Sequence, residues 1–433
     1  MTQSTSRPER GDRSHRPTLG RATRLATGLL LLTIGMGGGL GVGLFMPHAA
    51  GADPSPAVGP LGQLPAGFDV YQEALDVIRA HYVDPSATTD KNLVEGSIRG
   101  MVDALGDTGH TTYLTADELA AESDALDGTV SGIGVSVDAR GDGTVIISVV
   151  DGSPADQAGL RAGDAIVAVD GVRVERSSVE ELVRRVRGEP GTAVELTIKG
   201  RDGTTRDVSI IRATIDVPPV DWAFVPGTKV AVIRLVQFSS GAARKVADAA
   251  REALAAEASA VVLDLRGNPG GLLDQAVATA SVFLQDGVVY RSESRGGEQQ
   301  SIRTHGDAVI PDLPMVVLVD YGSASSAEIV TAALQDAGRA TVVGQTTYGT
   351  GTVLNVFDLS DGSAIRLGVE HWLTPDGKGV FDTGIAPDVS VALPADGVAL
   401  EPAELRDLTK RDFATSRDTQ LRRAVRLLTD GRA

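Results

Sequence analysis

The pattern of apolar and polar positions divides the chain into segments of different period. Residues 25–46 are uncharged and mostly apolar, a length that suits a helix crossing a bilayer. In residues 67–127 apolar side chains recur every three or four positions, which predicts a small helical subdomain. Residues 128–213 have the short period of strands, and in residues 214–433 apolar strands alternate with helices and a helix closes the chain. This last alternation predicts an α/β core with a mostly parallel sheet and flanking helices.

The N-terminal segment predicts a membrane-anchored protein. Residues 1–24 hold six arginines against two acidic residues, and this basic tail predicts a cytoplasmic N-terminus. Residues 47–66 are rich in proline, glycine and alanine and are interpreted as a linker. We therefore expect residues 25–46 to be a transmembrane helix or signal anchor with an extracytoplasmic body behind it. Cleavage after Ala52 would instead release a secreted body.

The composition of the chain excludes several kinds of functional site and argues against one class of partner. The chain of 433 residues contains no cysteine, which excludes disulfides, a thiol nucleophile and cysteine metal sites. Its net charge is −17, and because the basic tail carries +4, the remainder carries −21. So acidic a body argues against nucleic acid as a partner. No motif indicates a metal or a cofactor, and none is expected.

Two turns of small residues follow apolar strands in the predicted core. They occupy residues 267–271 and 322–326, and the second precedes a helical run. Ligands of α/β sheets bind beyond the carboxyl ends of the strands, which is where both turns lie. A serine between a strand and a helix is exposed to the first helical amides, as an acyl-transfer nucleophile must be. The alternative interpretation is an ordinary helix N-cap.

Residues 131–174 contain a pattern similar to that of a PDZ domain. The segments SGIGV, SPA, AGL and GDAI stand in the order and spacing of that family. The resemblance implies that the backbone N–H groups of Ile133, Gly134 and Val135 bind the terminal carboxylate of a peptide. A peptide would add to the following strand as an extra strand. The expected partners are C-terminal segments of exported or unfolded proteins.

The whole order of motifs resembles that of the carboxy-terminal processing peptidases, or tail-specific serine proteases. The motifs are SGIGV, the PDZ pattern, DLRGNPGG, GSASSAEI, GQTTYGTGTV and LTPDGKGVFDTGIAPDV, over about residues 66–430. The resemblance implies that Ser325 is the nucleophile and that the amides of Gly271 and Ser326 form the oxyanion hole. It assigns Asp336 a supporting role. Glu328 also matches the family, although a first-turn acid that stabilises the helix dipole is the simpler interpretation of this residue.

The chain departs from the family at two positions. Thr350 stands where the family has the lysine that serves as general base, and Leu354 stands where it has the glutamine that orients this lysine. A serine without a base is a poor nucleophile. His371 could replace the base, and Lys378 and Lys229 are further candidates, although each is readily explained as a surface residue.

Two functions remain open from the sequence. The first is a serine endopeptidase that binds C-termini through its PDZ domain and cleaves near them through an acyl-enzyme. The sequence does not reveal how such an enzyme would activate its serine without the lysine base. The second is a non-catalytic scaffold or adaptor of the cell envelope that captures C-terminal peptides. Both interpretations permit an oligomer.

Overall fold

The computed structural model describes residues 67–107, 111–140, 143–150, 152–161, 163–174, 179–394 and 397–430. The predicted basic tail, membrane segment and linker lie outside these residues. Within the described ranges, no helix combines the length and the apolar character needed to span a bilayer.

The N-terminal unit is helical but also contributes a strand to the core. Its elements are α1 (Phe68–His81), a 3-10 turn (Pro85–Thr88), α2 (Asp90–Asp103), β1 (Thr112–Leu114) and α3 (Ala116–Leu126). Thr115 caps α3: its Oγ1 accepts from the Glu118 N–H at 3.3 Å, and its own N–H donates to Glu118 Oε2 at 2.8 Å. A buried ion pair between Glu122 of α3 and Arg366 of the core measures 2.6 Å. The unit is therefore joined to the core rather than separate from it.

The second unit is a β-structure of the predicted PDZ type. Its elements are β2 (Thr129–Gly132), β3 (Val135–Arg140), β4 (Gly143–Val149), α4 (Pro154–Gln157), β5 (Ala165–Val169), β6 (Val172–Arg173), α5 (Val179–Val186), β7 (Ala193–Lys199), β8 (Thr205–Ile211) and β9 (Ala213–Asp216). The main sheet has the order β3-β4-β5-β7-β8, and β6 pairs with β5. β2 and β9 pair antiparallel at the entry and exit of the unit. β3 is thus an edge strand.

The core contains the predicted alternation of strands and helices. Its elements are β10 (Val220–Phe224), β11 (Val230–Leu235), α6 (Ala242–Ala255), β12 (Ala260–Asp264), α7 (Leu273–Phe283), β13 (Val288–Ser294), β14 (Gln299–Arg303), β15 (Met315–Val319), α8 (Ser326–Asp336), β16 (Thr341–Gly344), β17 (Thr352–Asp358), β18 (Ala364–Leu373), β19 (Val389–Ser390), α9 (Pro402–Asp407), α10 (Lys410–Thr415) and α11 (Thr419–Thr429). The main sheet has the order β10-β11-β12-β15-β16-β19. Its strands are parallel except for β10, so the predicted mostly parallel sheet is confirmed.

Both faces of this sheet are covered, and its central strands are apolar except for Arg234 in β11 and Asp264 in β12. In β12, Val261 and Leu263 pack with α6, α7 and α8, whereas Val262 packs with the C-terminal helices on the other face. All residues of β11, β12 and β15 are buried. Uninterrupted apolar runs are what a strand between two helical layers requires.

A second sheet was not predicted from the sequence. It has the order β1-β18-β13-β14, with β17 also paired to β18, and its pairs are antiparallel. It includes the strand β1 of the N-terminal unit. The architecture is therefore a mixed one, with a mostly parallel main sheet and an antiparallel second sheet.

Candidate active site

The two predicted turns meet at the carboxyl edge of the main sheet. They follow β12 and β15, which are parallel neighbours. Ser323 Oγ donates a hydrogen bond to the Leu265 carbonyl at 2.7 Å. The Ala324 N–H donates to the Asn268 carbonyl at 2.9 Å. The structure therefore brings together the two segments that the sequence predicts as neighbours.

Ser325 lies at the junction of the second turn and α8. Its backbone has φ 55° and ψ −118°, a conformation that non-glycine residues rarely adopt. The side chain is fully buried, and its Oγ donates no hydrogen bond to a residue that the structure describes. A Cβ on Gly270 would lie 2.7 Å from the Ser325 Cβ, so only glycine permits this approach of the two turns. A strained residue with an unengaged hydroxyl is what a nucleophile at a strand-to-helix turn requires.

Two backbone amides next to Ser325 are available to an oxyanion. The Gly271 N–H donates to no described residue. The Phe238 carbonyl accepts instead from the N–H of the next residue, Leu272, at 2.8 Å. The Ser326 N–H belongs to the first residue of α8, where no intrahelical acceptor exists. Ser326 Oγ donates to the Gly271 carbonyl at 2.9 Å, which joins the two amide-bearing residues directly.

The position of the family's base is directly against Ser325. Thr350 is fully buried, and its Oγ1 accepts a hydrogen bond from the Ser325 N–H at 3.1 Å. Leu354, at the position of the family's glutamine, is fully buried in β17. Neither side chain can accept a proton at neutral pH. The departure from the family therefore occurs at the site itself.

Glu328 organises the site, a role larger than the helix-dipole one. Its Oε1 accepts from Thr347 Oγ1 at 2.6 Å and from the Gly349 N–H at 2.7 Å. Its Oε2 accepts from the N–H groups of Ser325 and Thr350, both at 2.9 Å. Sequence reasoning undervalued this residue, although its place three residues after Ser325 was a signal.

Glu328 is nevertheless a poor candidate for the missing base. A carboxylate offers about four acceptor sites, and four donors occupy those of Glu328. Taking the proton of Ser325 would break one of these bonds. Burial raises the pKa of Glu328 above its ordinary value, although the four hydrogen bonds oppose this rise. The carboxylate therefore holds residues 347–350 against Ser325.

The alternative bases contact residues other than Ser325. His371 is exposed on β18, where its ring packs edge-on against Phe381 at 6.2 Å. Lys229 Nζ donates to the Ala256 carbonyl at 3.0 Å, at the opposite edge of the sheet. Neither residue forms a hydrogen bond with Ser325 in the described part of the chain.

Asp336 and Lys378 lie together at the far end of α8. Asp336 Oδ2 accepts from the Asp376 N–H at 3.0 Å, and Lys378 Nζ lies 3.9 Å from Asp336 Oδ1. Ten residues of helix separate Asp336 from the start of α8, which corresponds to about 15 Å. In this structure Asp336 supports the turn at residues 374–378 and does not contact Ser325.

An aromatic pair that sequence reasoning missed borders the site. The rings of Tyr321 and Tyr348 are 5.5 Å apart, and the Tyr348 N–H donates to the Ser323 carbonyl at 3.0 Å. Burial raises the pKa of Tyr348 above its ordinary value. Tyr321 is largely exposed, so the pair presents an aromatic surface to solvent beside the turn of Ser325.

The predicted peptide site of the PDZ unit consists of the loop at Ile133 and Gly134 and a cavity beside it. The carbonyls of Ile133 and Gly134 accept bonds from inside the unit, whereas their N–H groups donate to no described residue. Gly134 has φ 85°, and a Cβ there would lie 2.4 Å from the Ser153 Cβ. A mainly apolar cavity lies beside this loop and the edge strand β3. Its apolar lining includes Ile133, Val135, Leu182, Val183 and Val186. This geometry suits a peptide that adds to β3 and inserts an apolar side chain.

No group of acidic or histidine side chains in the described ranges could hold a metal ion. At Ser325 the described residues supply a hydroxyl, two backbone amides and the carboxylate of Glu328, whose acceptor sites are occupied.

Comparisons with known proteins agree with this geometry. The model of peptidase family S41 matches residues 229–391, and that of a PDZ domain matches residues 145–200. The carboxy-terminal processing protease CtpA of Bacillus subtilis (strain 168) is 34% identical over 328 residues, which cover 76% of this chain and 69% of that protein. A Staphylococcus aureus protein named "Probable CtpA-like serine protease" is 36% identical, over 76% of this chain and 66% of its own.

A solved structure shares the fold. It is a Bacteroides fragilis protein whose name assigns it to the S41 proteases, and it has a TM-score of 0.51 at 20% identity. The match covers 82% of this chain and 96% of that one.

Proposed function

The chain belongs to peptidase family S41, among carboxy-terminal processing serine proteases with a PDZ domain, and from this premise we propose that it is an endopeptidase acting near the C-termini of exported proteins. The observation that carries the proposal is Ser325, a buried serine with positive φ and an unengaged hydroxyl between the amides of Gly271 and Ser326.

The proposed reaction is acyl transfer. Ser325 Oγ attacks the peptide carbonyl, and the N–H groups of Gly271 and Ser326 stabilise the negative charge on its oxygen. The amine product leaves, and water hydrolyses the acyl-enzyme. Because no described residue stands ready to take the Ser325 proton, a water molecule would relay it to the nitrogen of the leaving amine as the bond between that nitrogen and the carbonyl carbon breaks. General-base assistance is typically worth about 100- to 10,000-fold, so we expect slow turnover.

The PDZ domain would select the substrate. The amides of Ile133 and Gly134 are unengaged, and a terminal carboxylate needs such donors. The cavity beside them favours a substrate with an apolar last residue.

A second candidate function is favoured by the side chains beside Ser325. Thr350 and Leu354 are both buried and neither can act as a base. The same fold without a base would capture C-terminal peptides and not cleave them, as an adaptor of the cell envelope.

Slow cleavage that depends on Ser325 is the expected result of the deciding assay. The purified full-length chain, in mild detergent, is incubated with an unstructured protein that ends in an apolar residue. Ser325→Ala should abolish product formation, whereas Ser301→Ala on an exposed strand should not. Amidation of the substrate's terminal carboxylate should slow cleavage. Products that persist with Ser325→Ala contradict the proposed nucleophile. Tight binding without any cleavage by the wild-type chain supports the adaptor.

The N-terminal segment supports a further proposal, on location and assembly. Residues 25–46 would anchor the protein with its body outside the cytoplasm. The helices that follow have an unusual surface, because no residue of α1 is buried. Large exposed apolar side chains of this region are Phe68, Val70, Tyr71, Val77, Ile78, Tyr82, Val83, Val94, Met101 and Leu105.

We assign this surface to contact between copies of the chain. A helix of 14 residues is marginal in water without a packed face. Asp69, Glu73 and Asp76 make α1 acidic, which disfavours contact with an anionic lipid surface. Copies anchored in one membrane would meet at high local concentration.

Conversion to monomers is expected when Val77→Glu and Met101→Glu are combined. The charges would oppose burial of the apolar face. Light scattering after size-exclusion chromatography measures the mass, with Gln72→Glu on the same helix as the matched control. A wild-type chain that is monomeric at tens of micromolar, on the order of typical dimer affinities, contradicts the proposed self-association. Recovery of the chain in the soluble rather than the membrane fraction contradicts the anchor.

A further inference from the structure

We propose that the C-terminal segment, residues 397–430, positions the glycine turn that carries the Gly271 amide, and that Asp418 is the positioning residue. This inference rests on the proposed hydrolysis, in which Gly271 donates to the oxyanion. It gives the end of the chain a part in the chemistry, although it does not touch the reacting atoms.

A buried ion pair connects the segment to the turn. Arg266 precedes the glycine turn and is almost fully buried. Its Nη1 donates to both carboxylate oxygens of Asp418, each at 3.0 Å, and to Gln420 Oε1 at 3.2 Å. Its Nε and Nη2 donate to Asp264 at 2.9 and 2.5 Å. The guanidinium is therefore held between the end of β12 and the start of α11, 152 residues later in the chain.

The Asp418 side chain is held by burial and by four hydrogen bonds. It is fully buried at the N-cap of α11, where Oδ1 accepts from the Leu421 N–H at 2.8 Å. Oδ2 accepts from the Leu400 N–H at 2.9 Å. With the two bonds from Arg266, all acceptor sites of the carboxylate are used. Asp418 thus links three parts of the chain: the helix α11, the segment before α9 and the turn.

The turn needs such support because glycines give it little stiffness of its own. Gly267, Gly270 and Gly271 have φ of 66°, 103° and 134°. Glycine adopts these values readily but also leaves them readily. An oxyanion donor must be held in place before the reaction to be effective. The Asn268 side chain binds the turn from within, since its Oδ1 accepts from the Gly270 N–H at 2.8 Å, and the Arg266 side chain binds the base of the turn through Asp264 and Asp418.

A second arginine holds the backbone at the same point. Arg234 Nη1 donates to the Arg266 carbonyl at 3.2 Å. Arg234 is in turn paired with Asp264 at 3.5 Å and with Glu401 of the C-terminal segment at 2.6 Å. The segment therefore reaches the turn by two routes, one through each arginine.

The charges of this cluster do not balance. Two guanidiniums, Arg234 and Arg266, face three carboxylates, Asp264, Asp418 and Glu401. Burial raises the pKa of Glu401 to about 7, and the attraction of Arg234, which is shared with Asp264, opposes this only in part. Glu401 has the most exposed side chain of the cluster. Asp418, fully buried and fully bonded, is therefore the better test of positioning.

Asp418→Asn is expected to loosen the turn. The amide keeps the shape of the side chain but removes the charge that faces Arg266. Hydrogen exchange followed by mass spectrometry should show faster exchange at residues 265–272, with β11 unchanged. The matched control is Asp412→Asn, which changes an exposed capping carboxylate in the same segment that accepts from Thr409 and not from the turn. Its exchange at residues 265–272 should equal that of the wild type.

A kinetic readout separates positioning from a general loss of structure. Removal of an oxyanion donor lowers kcat by about 100- to 1,000-fold, so displacement of Gly271 should lower kcat by roughly 10- to 100-fold and leave KM unchanged. Gln420→Met, which removes one bond to Arg266 and no charge, should produce the same pattern more weakly and stays informative if Asp418→Asn does not fold.

The outcomes distinguish the two proposals. Unchanged exchange at residues 265–272 in both variants overturns the positioning role. A fall in kcat with a matching rise in KM, or faster exchange throughout the core, also overturns it. If the wild-type chain cleaves nothing, the proposed hydrolysis fails, and the exchange experiment still decides whether Asp418 holds the turn.

Discussion

Thr350→Lys combined with Leu354→Gln is expected to raise kcat by about 100- to 10,000-fold, the range that general-base assistance contributes. The Thr350 Oγ1 lies 3.1 Å from the Ser325 nitrogen, so a longer side chain at this position starts beside the nucleophile. Burial disfavours the charged form of a lysine and lowers its pKa, which suits a base at neutral pH. The glutamine at position 354 would supply the polar partner that leucine lacks.

The rate of peptide cleavage by the full-length chain measures this effect. Thr350→Met is the matched control, because methionine is unbranched and of similar reach but has no amine. It should not raise kcat. Ser325→Ala added to the double variant should remove all cleavage. A double variant no faster than Thr350→Met would show that the site is defective for another reason than its missing base.

Glu328→Gln is expected to lower stability by about 2 to 5 kcal/mol and to abolish cleavage. The amide nitrogen would face two of the four donors that now point at the carboxylate. A buried donor left without an acceptor costs about 1 to 3 kcal/mol. Because Ser325 and Thr350 are among the donors, the turn of the nucleophile loses its support. Glu298→Gln on the exposed surface is the control and should change neither quantity.

The pH dependence of stability tests a second property of Glu328, the effect of burial on its pKa. Burial raises the pKa of Glu328 in the folded protein above 4.5, its ordinary value. The folded state then binds the proton more tightly, so this stabilisation is complete below pH 4.5 and is lost as the pH rises through the folded pKa. Denaturant unfolding across this range should show a shallower decline for Glu328→Gln than for the wild type. An equal decline would contradict the assigned role of burial.

The main sheet and the two turns could be predicted because their signals are local. β12 and β15 are uninterrupted apolar runs followed by small residues, and this pattern requires a buried strand and then a turn. Parallel neighbours place their carboxyl ends at one edge, so the meeting of Gly271 with Ser325 followed from the order of elements. The PDZ unit was predictable for the same reason, since its glycines and edge strand are close in sequence.

The second sheet could not be predicted in this way. β1 has three residues, and it pairs with β18, more than 200 residues later in the chain. Short strands have little periodicity, and their partners are set by the packing of whole units. Hence the N-terminal unit was expected to be a small helical subdomain, whereas it also contributes β1 to the second sheet and Glu122 to an ion pair with the core.

The sequence by itself determined the family, the nucleophile candidate and the substitution at Thr350 and Leu354, because each depends on residue identity at a motif position. Only the tertiary structure decided that Glu328 is saturated by four donors and that His371, Lys378 and Lys229 contact Phe381, Asp336 and Ala256. It also revealed the bond between Arg266 and Asp418. The physical reason is that a proton acceptor or an ion pair is defined by distances of about 3 Å, and residues far apart in the chain acquire such distances only when the units pack.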